Sequence, residues 1–229
     1  MSDLILQLTS FFFPLVIVGM IVLGVYLRGR GKNRAIKNSV LPILKNSLTR
    51  YVRPPLEANK LSASHWVLET QPKPSTNLKQ LDITIQLTQR QVFFALLSNK
   101  LMGNQDFINF EGTLEKGTGG LVIEIIPLME KKIIEKNYNY LIELHDVNLG
   151  VSKRLDELFM IKSDNIKLAR KILGVREILA RLLKAEKYLL WLTISKEPPH
   201  LKAIYRINEL LNVDNACKLT MELAARINP

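Results

Sequence analysis

The sequence predicts an α+β protein in which one N-terminal transmembrane helix precedes a mainly antiparallel sheet with helices on one face. Three observations predict it. Residues Leu4 to Leu27 contain no charged side chain. Several later stretches alternate apolar and polar residues with the period of two that a half-buried strand requires. These stretches and the helix-like ones follow one another as strand, helix, strands, then strand, helices, strands, helix, which suits an α+β arrangement.

The uncharged run is 24 residues long. As a helix it covers about 36 Å, enough to cross a hydrocarbon layer of about 30 Å with some tilt. Pro14 and Gly19 lie inside it, and both are tolerated in membrane helices. A cleaved signal peptide fits less well, because the residues before the run carry Asp3 and no Lys or Arg, and the run is too long. After it come Arg28, Arg30, Lys32, Arg34 and Lys37. By the positive-inside rule this flank is cytoplasmic and the short N-terminus lies outside: lumenal if the membrane is the endoplasmic reticulum, extracellular if it is a prokaryotic plasma membrane.

Three segments follow from this reading: an anchor over 1–30, a basic juxtamembrane helix and linker over 31–63, and a cytoplasmic α+β domain over 64–229. Residues 28–60 hold nine basic side chains and one acidic, most of the chain's net charge of +11. That excess serves topology and contact with anionic lipid headgroups, or it forms a docking surface for RNA or an acidic partner.

Within 35–52 apolar residues recur at helical spacing, predicting a helix that starts near Ser39 with Pro42 in its first turn. Pro54 and Pro55 end it, and 53–63 reads as linker. Ser64–Thr70 is a strand candidate and 71–76 a loop. Lys79–Thr88 alternates clearly, with Leu81, Ile83, Ile85 and Leu87 on one side. Thr88 then caps a helix over 89–102, closed by Gly103. Phe107–Leu114 and Leu121–Leu128 are strands whose glycine-containing connection suits a hairpin. Those glycines do not make a phosphate loop, since no helix start bearing Lys-Ser/Thr follows. Residues 129–137 are polar, and Tyr138–His145 reads as a further strand.

In the second half Leu155–Lys162 reads as a strand. Ser163 or Asp164 caps a helix over 166–173, Gly174 ends it, and another helix runs over 175–185. Strands follow at 187–195 and 201–207, joined through Pro198–Pro199, with a closing helix over 208–227.

For chemistry the sequence offers little. His65, His145 and His200 are scattered and lack metal-ligand spacing. Cys217, the single cysteine, sits on an apolar helix face and reads as a buried thiol. Asp156 and Glu157 read as a surface turn. No nucleotide-binding or hydrolase motif is present. The expectation is therefore no enzyme activity, no catalytic or metal site, no cofactor and no small-molecule substrate. Lys167, Arg170 and Lys171 share one helix face, and Arg181 and Lys184 extend the basic stretch. With the five cations after the anchor they are the candidate contacts for RNA or anionic lipid, through phosphate rather than base. A solvated face is the plain alternative.

Several stretches together resemble the calumin-like family, single-span membrane proteins of the PAT intramembrane chaperone complex in the multipass translocon. They are Gly31-Lys32-Asn33-Arg34, Ile85-Gln86-Leu87-Thr88-Gln89-Arg90-Gln91, Asn104-Gln105-Asp106, Lys167-Leu168-Ala169-Arg170 and Trp191-Leu192-Thr193-Ile194. The resemblance is diffuse over residues 28–225. It implies a cytosolic domain between ribosome and translocon that aids membrane-protein insertion and folding. Its partners would be translocon or intramembrane chaperone subunits and ribosomal RNA. Calumin-like proteins also carry a long acidic N-terminal region and a basic C-terminal coiled coil. These 229 residues contain neither, so the coiled-coil part of ribosome contact drops out of the expectation. The rival is a structural interaction subunit of another membrane complex.

Overall fold

A computed structural model of the chain describes residues 2–227 apart from 55, 91–104, 132, 133, 135–138, 151, 152 and 208; for residues 2–12, 139 and 211 it describes backbone only. The uncharged run is helical, but the helix does not stop where it ends. Helix α1 is continuous over Ser2–Leu48. Among the described residues it is the one helix long and apolar enough to cross a membrane. Its outer part, from Phe13 to Leu27, presents large apolar side chains to the surroundings. Its last four turns do the reverse, burying Val40, Leu44 and Leu48 completely.

The separate juxtamembrane helix is therefore corrected to the C-terminal half of α1. Ser39 caps nothing; its hydroxyl donates back to the Ala35 carbonyl four residues earlier. Pro42 lies inside the helix rather than in its first turn. The segment read as linker supplies two short strands, β1 (Val52–Arg53) and β2 (Ala58–Lys60). Both pair with β3 (His65–Pro72).

The remaining strands are β4 (Leu78–Gln86), β5 (Phe107–Leu114), β6 (Ile123–Pro127), β7 (His145–Asp146), β8 (Phe159–Ser163), β9 (Leu189–Ile194) and β10 (Leu201–Arg206). The described strands form one ten-stranded sheet in the order β1-β3-β4-β5-β10-β9-β6-β8-β7, with β2 beside β3. Every pairing is antiparallel. The alternation read from the sequence is realised in β4, where Leu81, Ile83 and Ile85 are fully buried.

The expected hairpin between β5 and β6 does not form. β5 pairs with β4 and β10, while β6 pairs with β9 and β8. Two strands from the end of the chain are thus inserted between sequence neighbours. Of the strand expected over Leu155–Lys162, the first part belongs to a short helix α2 (Lys153–Leu158) and the rest is β8. The strand expected over 138–145 is a 3-10 turn (Asn139–Glu143) followed by β7. The helix expected over 89–102 and its Gly103 stop lie outside the described residues.

Helices α3 (Ile166–Leu173) and α4 (Arg176–Ala185) stand where the sequence puts them. The α3 cap is Asn165, not Ser163 or Asp164; its side chain accepts from the Leu168 N–H at 3.0 Å. Gly174 follows at a close approach, since a Cβ there would lie 2.6 Å from the Arg170 carbonyl oxygen. The last helix, α5 (Leu210–Arg226), packs against α4 and the end of α1.

One hydrophobic core joins the buried end of α1, helices α3 to α5 and one face of the sheet. A smaller cluster of Ile126, Ile134, Leu141 and Met160, with Trp191 against it, packs separately near β6 and β8. Cys217 lies within the main core at 0% exposure, and burial pushes its thiol pKa well above the ordinary value. A maleimide should therefore leave the folded chain unlabelled for hours and react within minutes in denaturant, as mass spectrometry would record. Rapid labelling of the native chain would contradict this placement.

Candidate functional site

The point where α1 meets the sheet carries the most organised polar chemistry among the described residues. Asn33, six residues beyond the uncharged run, is fully buried. Its amide donates to the Thr88 carbonyl at 3.0 Å, and its oxygen accepts from Arg90 Nη1 at 2.8 Å. Arg90 Nη2 donates to Asp106 Oδ2 at 2.8 Å. The other oxygen of Asp106 accepts from the Thr88 N–H and the Thr88 hydroxyl, both at 2.8 Å. Thr88 follows β4 and Asp106 precedes β5, so the constellation ties the helix to two neighbouring strands.

Burial raises the Asp106 pKa, but the donors from Arg90 and Thr88 and the guanidinium charge outweigh it, and the net shift is downward. The carboxylate is held ionised. Asn33, Thr88, Arg90 and Asp106 meet here, although nothing in the sequence marks them as one site. Spacing gave no signal, since 57 positions separate Asn33 from Arg90.

Beside this joint lies a cationic cleft of about 310 Å³ lined by Arg30, Arg34, Lys37, Lys60, Ala63 and Trp66. Arg30, Arg34 and Lys37 fall at i, i+4 and i+7, one face of α1. Lys60 arrives from β2, where it pairs directly with Trp66 of β3. Lys37 Nζ stands 5.8 Å from the centroid of the Trp66 ring, a cation–π distance. None of the four cations has an ion-pair partner among the described residues. Arg30 donates a long hydrogen bond, 3.4 Å, to the Tyr26 hydroxyl one turn earlier. The sequence named Arg30, Arg34 and Lys37 but not Lys60 or Trp66. Arg28 and Lys32, also candidates, are exposed on α1 and do not line the cleft.

The second candidate face is divided. Lys167, Arg170 and Lys171 are exposed on α3. Arg170 Nε is engaged by the Asn148 carbonyl at 2.7 Å. Lys184 is exposed on α4. Arg181 is corrected as a phosphate contact: its Nε donates to Glu222 Oε2 at 2.7 Å and its Nη1 reaches Asn215, so it joins α4 to α5. The space around it, about 240 Å³, also holds Asp214, which accepts from Ser47 and Lys218. Asp214 and Glu222 are paired with Lys218 and Arg181, and Arg50, which also lines the space, is the one cation there without an ion-pair partner among the described residues.

The histidines do not converge. His65 is in β3, His145 is exposed in β7, and the buried His200 accepts the Leu114 N–H on Nδ1 at 3.1 Å. Asp156 lies in α2 and accepts from the Leu149 N–H. Among the described residues no group of three or more His, Cys, Asp or Glu side chains is placed to hold a metal ion.

Glu124 of β6 went unremarked in the sequence. It is 1% exposed and accepts from the Tyr140 hydroxyl, Trp191 Nε1 and the Thr193 hydroxyl. Burial raises its pKa, opposed by those three donors, and the net shift is upward.

Fold and site together define an α+β protein on one candidate membrane helix, with a buried polar joint and a cationic cleft where that helix meets the sheet. No protein-family model matches the chain, and no curated protein does.

Proposed function

We propose that this chain is a non-enzymatic accessory factor for the insertion and folding of membrane proteins. In this reading α1 spans the membrane with its N-terminus outside, and the sheet domain stands in the cytoplasm beside translocon or intramembrane chaperone subunits. The observation that carries the reading is the unbroken passage of α1 from an exposed apolar segment into the domain core. A domain held this way keeps a set height and orientation over the bilayer, as a factor serving emerging membrane segments requires. The polar groups of the Asn33–Arg90–Asp106 joint bond to one another, which suits a mechanical role rather than a catalytic one. The cations following the apolar run favour the cytoplasmic orientation.

The ribosome-facing surface in this reading is the exposed part of the basic stretch, Lys167, Lys171 and Lys184. Contacts to RNA phosphate release counterions, so they weaken steeply with salt. Full-length protein in mild detergent should co-sediment with ribosomes at about 50 mM salt and lose most of that binding by about 200 mM. Replacing Lys167, Lys171 and Lys184 by alanine should remove most of the low-salt binding. No binding at low salt, or binding indifferent to salt, would overturn the ribosome contact. Recovery with a different membrane complex, without translocon components, would favour the interaction-subunit reading instead.

A further inference from the structure

The cleft between α1 and the β2–β3 pair carries four cations without an ion-pair partner among the described residues, from two separate elements. Its height is set by α1. At 1.5 Å per residue, Arg30 stands about 4.5 Å beyond Leu27 and Arg34 about 10 Å. The headgroup layer outside the hydrocarbon is roughly 5–8 Å thick on each side. Arg30 therefore lies within that layer, while the Arg34 backbone stands about 3–5 Å beyond it, within reach of its long side chain, and Lys37 lies farther out.

The chemistry at that height is specific. An arginine fork donates to two phosphate oxygens at once, and a lysine supplies a mobile point charge. Trp66 is 3% exposed, and its indole N–H has no hydrogen-bond partner among the described residues. It stands beside Lys37 and Lys60 at the domain end of the cleft, so it closes that end with apolar surface.

We propose that this cleft binds the phosphate of an anionic lipid headgroup, with Arg30 and Arg34 on the phosphate oxygens and Lys60 closing the site from the domain side. The free phosphate ion shares this chemistry. The lipid is favoured because the cleft opens beside the helix where it leaves its apolar segment. The assignment does not depend on the ribosome reading, and its probe is lipid alone.

The test uses the full chain in neutral detergent, titrated with dioctanoyl phosphatidylglycerol and followed by native mass spectrometry. Dioctanoyl phosphatidylcholine, inorganic phosphate and a short RNA serve as competitors. A double variant, Arg34→Ala with Lys60→Ala, should weaken phosphatidylglycerol at least tenfold. Lys167→Ala with Lys171→Ala, the same charge change away from the cleft, should leave it within twofold. Arg34 and Lys60 are exposed, so the thermal midpoint should hold; if it falls, Lys60→Gln alone gives the reading, with a smaller loss in the same direction. Equal weakening by both double variants would show diffuse attraction and overturn the proposal. So would equal affinity for the zwitterionic lipid, or displacement of the lipid by inorganic phosphate or RNA at comparable concentration.

Discussion

Replacing Asp106 by alanine should destabilise the full chain by about 3 kcal/mol, the range found when one partner of a buried ion pair is removed. The side chain is 8% exposed and Arg90 is 20% exposed, so solvent can replace little of what is lost. Alanine strands the Arg90 guanidinium and two Thr88 donors at once. Asparagine keeps an acceptor for Thr88 but turns an amide or a neutral oxygen towards Arg90, and should cost less. The pH dependence has a definite sign. The folded-state pKa of Asp106 lies below its unfolded value. Its contribution is therefore complete above the unfolded carboxylate pKa of about 3.9 and disappears as pH falls through the lower folded value. Urea unfolding of the detergent-solubilised chain should show the wild type and Asp106→Asn differing fully at pH 7 and converging only in strong acid. A loss below about 0.5 kcal/mol for the alanine variant would place the pair among weak surface contacts.

Leu44→Ala should cost about 3 kcal/mol, by lost transfer energy and the cavity left behind. Leu44 is fully buried, although it belongs to the same helix as Leu23, which is 56% exposed. Leu23→Ala faces the surroundings of the apolar segment and should change the unfolding of the sheet domain by less than about 0.5 kcal/mol. The contrast divides α1 into an outer part and a core part. Equal effects from the two positions would contradict that division.

Elements whose pattern is set by their own burial were legible. β4 alternates because one face lies on the core, and α5 carries its apolar residues at helical spacing because α1 and α4 cover it. What failed was whatever depended on distant partners. Pro42, Gly29 and Gly31 are local signals for a break after the apolar run, yet α1 continues through all three. Proline within a helix costs about 3 kcal/mol. Burying Val40, Leu44 and Leu48 returns about 1.5–3 kcal/mol for each side chain, enough to outweigh it. The β5–β6 spacing fitted a hairpin, but nothing local could show that β10 would compete for β5 and β9 for β6. The candidate site was half legible for the same reason. The cations of α1 stood out as a cluster. Lys60 joins them only through the β2–β3 register, from a stretch whose prolines read as linker, and Trp66 from a strand candidate that nothing local tied to α1. Asn33, Arg90 and Asp106 meet only once α1 docks on the strands.

The account rests on α1 carrying its apolar segment into the sheet domain as one rigid piece. Spin labels at Leu23→Cys in the apolar segment and Lys79→Cys on β4, with the buried Cys217 left in place, test this directly. Electron–electron double resonance on the chain in lipid nanodiscs should give one narrow distance distribution. A broad or multiply peaked distribution, as a hinge at Gly29–Gly31 would produce, would contradict it.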